Sequence, residues 1–346
     1  MSHTARRIVA NLDCEARWVG SELPEPVLKK ISALGTLMRV FARDGDALWT
    51  PHAVDPSRMA PVNLLATPVL ESGPLDALSP AAETLWWCTP SDASMRANHR
   101  SFCFSIAEEL NCVLPGARFV SSVEELYQHL RAGGAAAAPG AKWVLKSPLS
   151  AASRDRVVWR GLDLDEPSKR RTERLLSVHG SLLFEPWMDR TLDLGSLGEV
   201  TDSEIRLLGG HRLVFSESGA LSAIEIPPPG GESLWMRAEE RALLNKTTLQ
   251  VGEKLRAAGI LGPFGIDAWF YRDLAGVERL HPLGEINARL TLGRLAREIA
   301  ERSGMRKPGA SVRMGFSVGK ECAQPPHAVP LLLPSATDTT AAWMER

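Results

Sequence analysis

The chain has 346 residues, 44% apolar and 23% charged, enough for two or three compact modules of about 100–150 residues each. Its forty basic residues nearly cancel forty-one acidic ones, which excludes the global basic field of a nucleic-acid or anionic-membrane binder, so any anion site must be local. No segment approaches the roughly 20 uninterrupted apolar residues of a membrane span, and Met1 to Arg7 lacks the apolar core of a signal peptide, so a soluble cytoplasmic protein is expected.

In chain order, Arg7 to Asn11 reads as a first strand, Pro24 to Val40 as a helix and Thr84 to Cys88 as a further strand, with α/β punctuation between them. Asp44 to Pro80, rich in Pro, Asp and Ser, reads largely as irregular loop. A helix starting near Asn98 carries Phe102, Ile106 and Leu110 at fourfold spacing and ends before Pro115. Ser122-Val123-Glu124-Glu125 fits a capping box and predicts a short helix over Val123 to Arg131, followed by an alanine-rich loop from Gly133 to Gly140.

Strand-like segments follow at Trp143 to Ser147, Val157 to Arg160 and Leu182 to Trp187. Ile205 to Ile226 reads as a meander of two or three strands broken at Gly209-Gly210 and Ser218-Gly219. Glu239 to Ala258 is a helix stopped by Gly259, Phe264 to Tyr271 and Arg279 to Asn287 are strands, and Arg294 to Arg302 is a helix closed by Gly304. The last thirty residues suggest a tail strand laid on the body. Five scattered cysteines, an odd number without a CxxC pair, read as reduced thiols, Cys14 standing out because it lies just beyond the first strand.

The chemistry concentrates in Glu285-Ile286-Asn287-Ala288-Arg289. On an extended chain, Glu285, Asn287 and Arg289 share one face. A carboxylate, an amide oxygen and a guanidinium suit a hard cation held beside phosphate oxygens, because magnesium takes oxygen ligands and arginine forks onto phosphate. A solvated strand face beside a salt bridge would show the same triplet. The preceding strand carries a lone acid, Asp267, in an otherwise apolar run, and an acid there needs a partner. If the two strands are antiparallel neighbours, Asp267 faces Glu285 and Asn287, and two close carboxylates are tolerated with a cation between them.

Asp267 followed by Glu285-x-Asn287-x-Arg289 on the next strand resembles the metal centre of the ATP-grasp superfamily. Trp143-Val144-Leu145-Lys146 is similar to that family's strand bearing the phosphate-binding lysine, Ser147 to Arg156 to its phosphate loop, and Leu182 to Trp187 to its adenine hinge. The resemblance covers residues 84 to 304. It implies a fold of α/β and α+β parts in three modules: an N-terminal α/β pre-ATP-grasp domain (1–97), a central ATP-binding lid (98–187) and a C-terminal metal domain (188–316), before the tail strand (317–346).

It further implies ATP and Mg2+, with Mn2+ as an alternative, the metal on Asp267, Glu285 and Asn287. Lys146 and Arg100 would meet phosphates, Glu185 and Trp187 the adenine, Asp193 the ribose, and Ser153, Arg154 and Arg156 would serve the phosphate loop. Two departures stand out: Arg100 occupies a position where the family usually has lysine, and the loop contains no glycine. Arg289 would stabilise the charge of the transferring phosphoryl group.

The function so implied is an ADP-forming ligase that activates a carboxylate as an acyl phosphate for attack by an amine. Its partners would be small-molecule acids and amines, amino acids or peptides among them, with no nucleic acid and no membrane, and with a homodimer left open. A kinase using the same metal site and a nucleotide-binding regulator without turnover are the alternatives. Asn11, Asp13 and Cys14 are pocket members by fold-level analogy alone, and His211 and His281 have no ligand spacing.

Overall fold

A computed structural model describes residues 5–62, 65–78, 81, 83–132, 141–150, 155–273, 275–317 and 324–346. The first unit is a parallel sheet of β1 (Arg7–Val9), β2 (Ala47–Thr50), β3 (Val69–Ser72) and β4 (Thr84–Trp86), in the order β3-β2-β1-β4. The chain steps from β1 outward to β2 and β3, then returns to place β4 on the other flank, so the order reverses between β1 and β4. The short helix α1 (Cys14–Trp18) follows β1, and α2 (Glu25–Gly35) runs on as a 3-10 turn from Thr36 to Phe41. The stretch expected to be irregular therefore supplies two strands, each only four residues long and set between Pro and Gly, which hid them.

Next come α3 (Asp92–Asn98), capped by Ser91, and α4 (Arg100–Glu109). The single helix expected from Asn98 onward is thus the second of two, broken at His99, whose extended backbone ends one helix and caps the next. Cys103, Ile106 and Ala107 of α4 pack into the same core as β12 and β13 introduced below, so by packing α4 belongs to the large sheet.

The unit expected as the lid is a four-stranded antiparallel sheet ordered β5-β8-β6-β7, from β5 (Arg118–Val120), β6 (Lys142–Lys146), β7 (Arg156–Arg160) and β8 (Leu182–Pro186). Its helices are α5 (Val123–Arg131) and α6 (Glu166–His179). At the α5 cap Ser122 accepts from the Glu125 amide as expected, but Glu125 reaches one residue further back, to the Ser121 amide at 2.8 Å. Asp165 caps α6 and Gly180, at φ 74, ends it.

An eight-stranded sheet, β13-β12-β9-β10-β11-β14-β16-β15, forms the body. Its strands are β9 (Asp189–Val200), β10 (Ile205–Phe215), β11 (Leu221–Ile226), β12 (Gly262–Arg272), β13 (Glu278–Asn287), β14 (Val312–Phe316), β15 (Val329–Leu332) and β16 (Ala342–Glu345). Gly209-Gly210 does not break the meander as expected. The register shifts between Leu207 and Gly209 while β10 continues, so the chain bulges at Leu208, with Gly209 at φ 99, rather than breaking. Helices α7 (Ala238–Ala257) and α8 (Leu292–Arg302) cover this sheet. The tail contributes two strands, and its Leu331 and Leu332 share a core with Ile8 and Leu48 of the parallel sheet and Ile299 of α8.

Candidate active site

Strands β12 and β13 pair antiparallel, with Asp267 opposite Glu285 and Gly265 opposite Asn287. Directly opposed residues share a face, so the register brings the two carboxylates together. Among the described residues, no hydrogen bond or ion pair reaches the Asp267 carboxylate. Burial and the opposing Glu285 charge push its carboxyl up to about 7, despite the countering Arg289 and Arg190 charges. No group of three His, Cys, Asp or Glu is assembled among the described residues. The donor set here is two carboxylates and the Asn287 amide, an all-oxygen set that suits magnesium, and a cation would relieve the charge opposition that raises Asp267.

Arg100 is bonded both to the segment after β6 and to β13. Its Nη2 meets both Glu285 oxygens, at 3.0 and 3.2 Å, and its Nη1 reaches the Ser147 carbonyl and, at 3.1 Å, Ser150 Oγ. It therefore tethers the segment after β6 to β13, a task for which a planar fork is better shaped than an ammonium. Ser153 and Arg154 lie outside the described residues. Arg156, at the start of β7, faces Lys146 in register.

Lys146 is ion-paired to Glu185 across the β6–β8 ladder. Burial would raise the Glu185 carboxyl, but Lys146 outweighs it and holds it below the usual range. The Trp187 amide donates to the Lys142 carbonyl at 2.9 Å, and Lys142 Nζ stands 3.6 Å above the exposed Trp187 ring. That amide is spent within the lid, so a base would have to use neighbouring backbone instead. Asp193 accepts from Arg190 at 2.9 Å and lies opposite Trp269 on β12. A cleft lined by Arg100 and Cys103 of α4, Leu183 and Glu185 of β8, and His281 and Leu283 of β13 runs between lid and body.

Arg289 does not continue the face of Glu285 and Asn287, because β13 stops at Asn287 and the alternation lapses. Its guanidinium is buried against Glu15 of α1, with Nε at 2.8 Å and Nη2 at 2.6 Å from Oε1, and its Nη1 donates to the Leu290 carbonyl at 3.3 Å. Burial alone would lower its pKa, but the Glu15 charge more than compensates and raises it.

Several residues escaped the sequence reading. Glu15 had only its place after β1 to mark it. Trp269 lies under Arg190, 3.7 Å from its ring, and beside His281 at 4.5 Å, where Gly284 leaves room that a Cβ would fill. His211 sits opposite Gly195 with Gly293 also against its ring, and burial takes its pKa down to about 4. Two-residue alternation along β9, β10 and β12 could have placed Asp193, Trp269 and His211 on the Asp267 face, but only once the register was known.

No protein-family model matches the sequence, and no curated protein is similar to it. Solved structures are similar in fold. An ADP complex of N5-carboxyaminoimidazole ribonucleotide synthetase matches with a TM-score of 0.58 and 11% identity over 99% of this chain and 92% of that one. The Thermus thermophilus enzyme of the same name matches at 0.57 and 12%, over 99% and 93%. Phosphoribosylamine–glycine ligase from Thermotoga maritima matches at 0.58 and 10%, over 98% and 89%. The chain therefore has the ATP-grasp fold, as the Asp267 and Glu285-x-Asn287 pattern implied. Among the described residues no helix is long and apolar enough to cross a membrane.

Proposed function

We propose that the protein is an ATP-dependent carboxylate–amine ligase. The reading rests on one observation: Asp267 and Glu285 oppose each other in register, the former without a hydrogen-bond or ion-pair partner among the described residues. The fold it shares with an ADP complex supports a nucleotide in the cleft between lid and body. Asp267, Glu285 and Asn287 would hold Mg2+, which supplies charge neutralisation at the phosphates when bound.

The chain's own groups do the rest. A carboxylate oxygen of the acid forms a bond to the γ-phosphorus as the bond to the β,γ-bridging oxygen breaks, giving ADP and an acyl phosphate. An amine then attacks the acyl carbon and phosphate leaves, with one amine proton released. Lys146 offers a point charge to the phosphates once nucleotide draws it from Glu185, which then accepts from the adenine amine. Arg100 holds Glu285 in place. Arg289 neutralises oxygens that gain charge, and the lid excludes water from the anhydride.

The test is incubation with Mg-ATP and pooled amino acids, with and without hydroxylamine, measuring ADP, phosphate and hydroxamate. ADP, phosphate and trapped hydroxamate together are the expected result. ADP without phosphate or hydroxamate would replace the ligase with a kinase, and nucleotide binding without ADP would replace it with a regulator.

A further inference from the structure

In open α/β sheets ligands gather outside the carboxyl ends of the strands where the strand order reverses. Here that point lies between β1 and β4. A second cleft, of about 100 Å3, opens at the carboxyl end of β4. Trp86, Trp87, Ile260, Leu261 and Pro263 give it an apolar wall, Thr89, Ser91 and Ser94 supply hydroxyls, and Arg289 is the one charged side chain among its described lining residues.

The arginine decides what fits. A guanidinium has five N–H groups, and three of those on Arg289 are committed, two to Glu15 and one to the Leu290 carbonyl. One N–H on each terminal nitrogen is left without a partner among the described residues. Ser91 Oγ donates to Ser94 Oγ at 3.0 Å, so the Ser94 hydroxyl is free to donate onward.

A monoanionic carboxylate matches those donors. A phosphate monoester, at about −1.5 to −2 charge, does not. Glu15 already offsets part of the Arg289 charge, so the second negative charge of a dianion finds no cation to meet it, and the Ser94 amide at the start of α3 is occupied by Ser91 Oγ. The loop after β1, where such sheets cradle phosphate, instead carries the chain's own buried acids Asp13 and Glu15 and no glycine.

We infer that this cleft is the acid-substrate site, and that its ligand is an unphosphorylated monocarboxylate with a flat apolar body, held by the free fork of Arg289 against the Trp86–Trp87 wall. This rests on the ligase reading. The carboxylate is then held by the same arginine whose charge reaches Asp267, beside the strand end where phosphoryl transfer would occur.

The test uses the full chain and three probes of one ring: benzoate, benzamide and phenyl phosphate, titrated by ligand-observed NMR, with Mg-ATP stabilisation measured separately by thermal melting. Benzoate should bind at least about tenfold more tightly than either other probe. Leu261→Glu, at an exposed rim position, should weaken benzoate at least about fivefold through like-charge repulsion while leaving Mg-ATP stabilisation unchanged. Phenyl phosphate or benzamide binding as tightly as benzoate, or Leu261→Glu leaving benzoate unaffected, would overturn the assignment even if Mg-ATP stabilises the protein. Benzoate selectivity without any Mg-ATP stabilisation would sink the ligase reading and leave a carboxylate site standing.

Discussion

Replacing either partner of the Glu15–Arg289 pair should destabilise the protein, but with opposite responses to pH. Both side chains are buried, 6% and 13% exposed, so removing one leaves an uncompensated charge, at a cost of about 3–5 kcal/mol. That is a large part of the roughly 5–15 kcal/mol by which domains are stable. The two losses differ because arginine cannot shed its proton and glutamate can take one up.

In Arg289→Met, burial is no longer opposed by a cation, so the folded pKa of Glu15 rises above its unfolded value of about 4.3. A group shifted that way contributes stability below the unfolded pKa and loses it as pH rises through the folded one. Each unit of that rise is worth about 1.4 kcal/mol, recovered on acidification. Arg289→Met should therefore regain stability relative to the parent between about pH 7.5 and pH 5. Glu15→Gln should regain none. Urea unfolding of the parent, both single variants and Glu15→Gln/Arg289→Met gives the coupling energy directly. Single losses below about 1 kcal/mol, or the same pH response in both variants, would show that the pair is not buried and charged as described.

The same arginine is expected in the chemistry: Arg289→Ala should slow single-turnover ADP formation about a hundredfold or more with little change in ATP affinity, and Arg289→Lys should rescue it partly if charge outweighs geometry. Because a proton competes with a cation for Asp267, whose carboxyl is pushed up to about 7, Mg-ATP affinity by calorimetry should fall as pH drops from about 8 to 6, and Asp267→Asn should flatten that dependence along with weakening binding. Lys146→Ala should weaken all nucleotides, whereas Glu185→Ala should relax the preference for ATP over GTP in competition binding. In Gly284→Ala the new Cβ would lie 1.7 Å from the Trp269 ring, so that ring must move, which a changed near-ultraviolet tryptophan signal and a lowered melting temperature would report.

What could be learned from the sequence followed local regularity. The Asp267 and Glu285-x-Asn287 pairing was legible because period-two alternation inside two strands fixes faces, and the observed register agrees. Ser122 and Gly259 marked helix ends through capping chemistry that acts within a few residues. Helix α6 was passed over because its Glu, Lys and Arg run buries only Thr172 and Leu175, leaving a weak apolar stripe. The partner of Arg289 was out of reach, since Glu15 lies 274 positions away and only tertiary packing brings them together. Strand β9 was missed although twelve residues long, because its glycines at 195 and 198, which admit the His211 and Phe264 rings, imitate loop composition.

The tail has a kinetic consequence. Arg58, beside the parallel sheet, is bonded to Asp338, Leu333 and Thr340, and Arg39 to the Leu331 carbonyl, contacts that span 275 to 292 positions of chain. During synthesis at about 5–20 residues per second, the N-terminal sheet would emerge roughly 12–52 s before the segment that completes its core. Through that interval Ile8, Leu48 and their neighbours lack the β15–β16 wall, and the nascent chain would present an unfinished apolar surface. Chaperone occupancy should accordingly begin once β4 is exposed and persist until β16 has left the exit tunnel and docked.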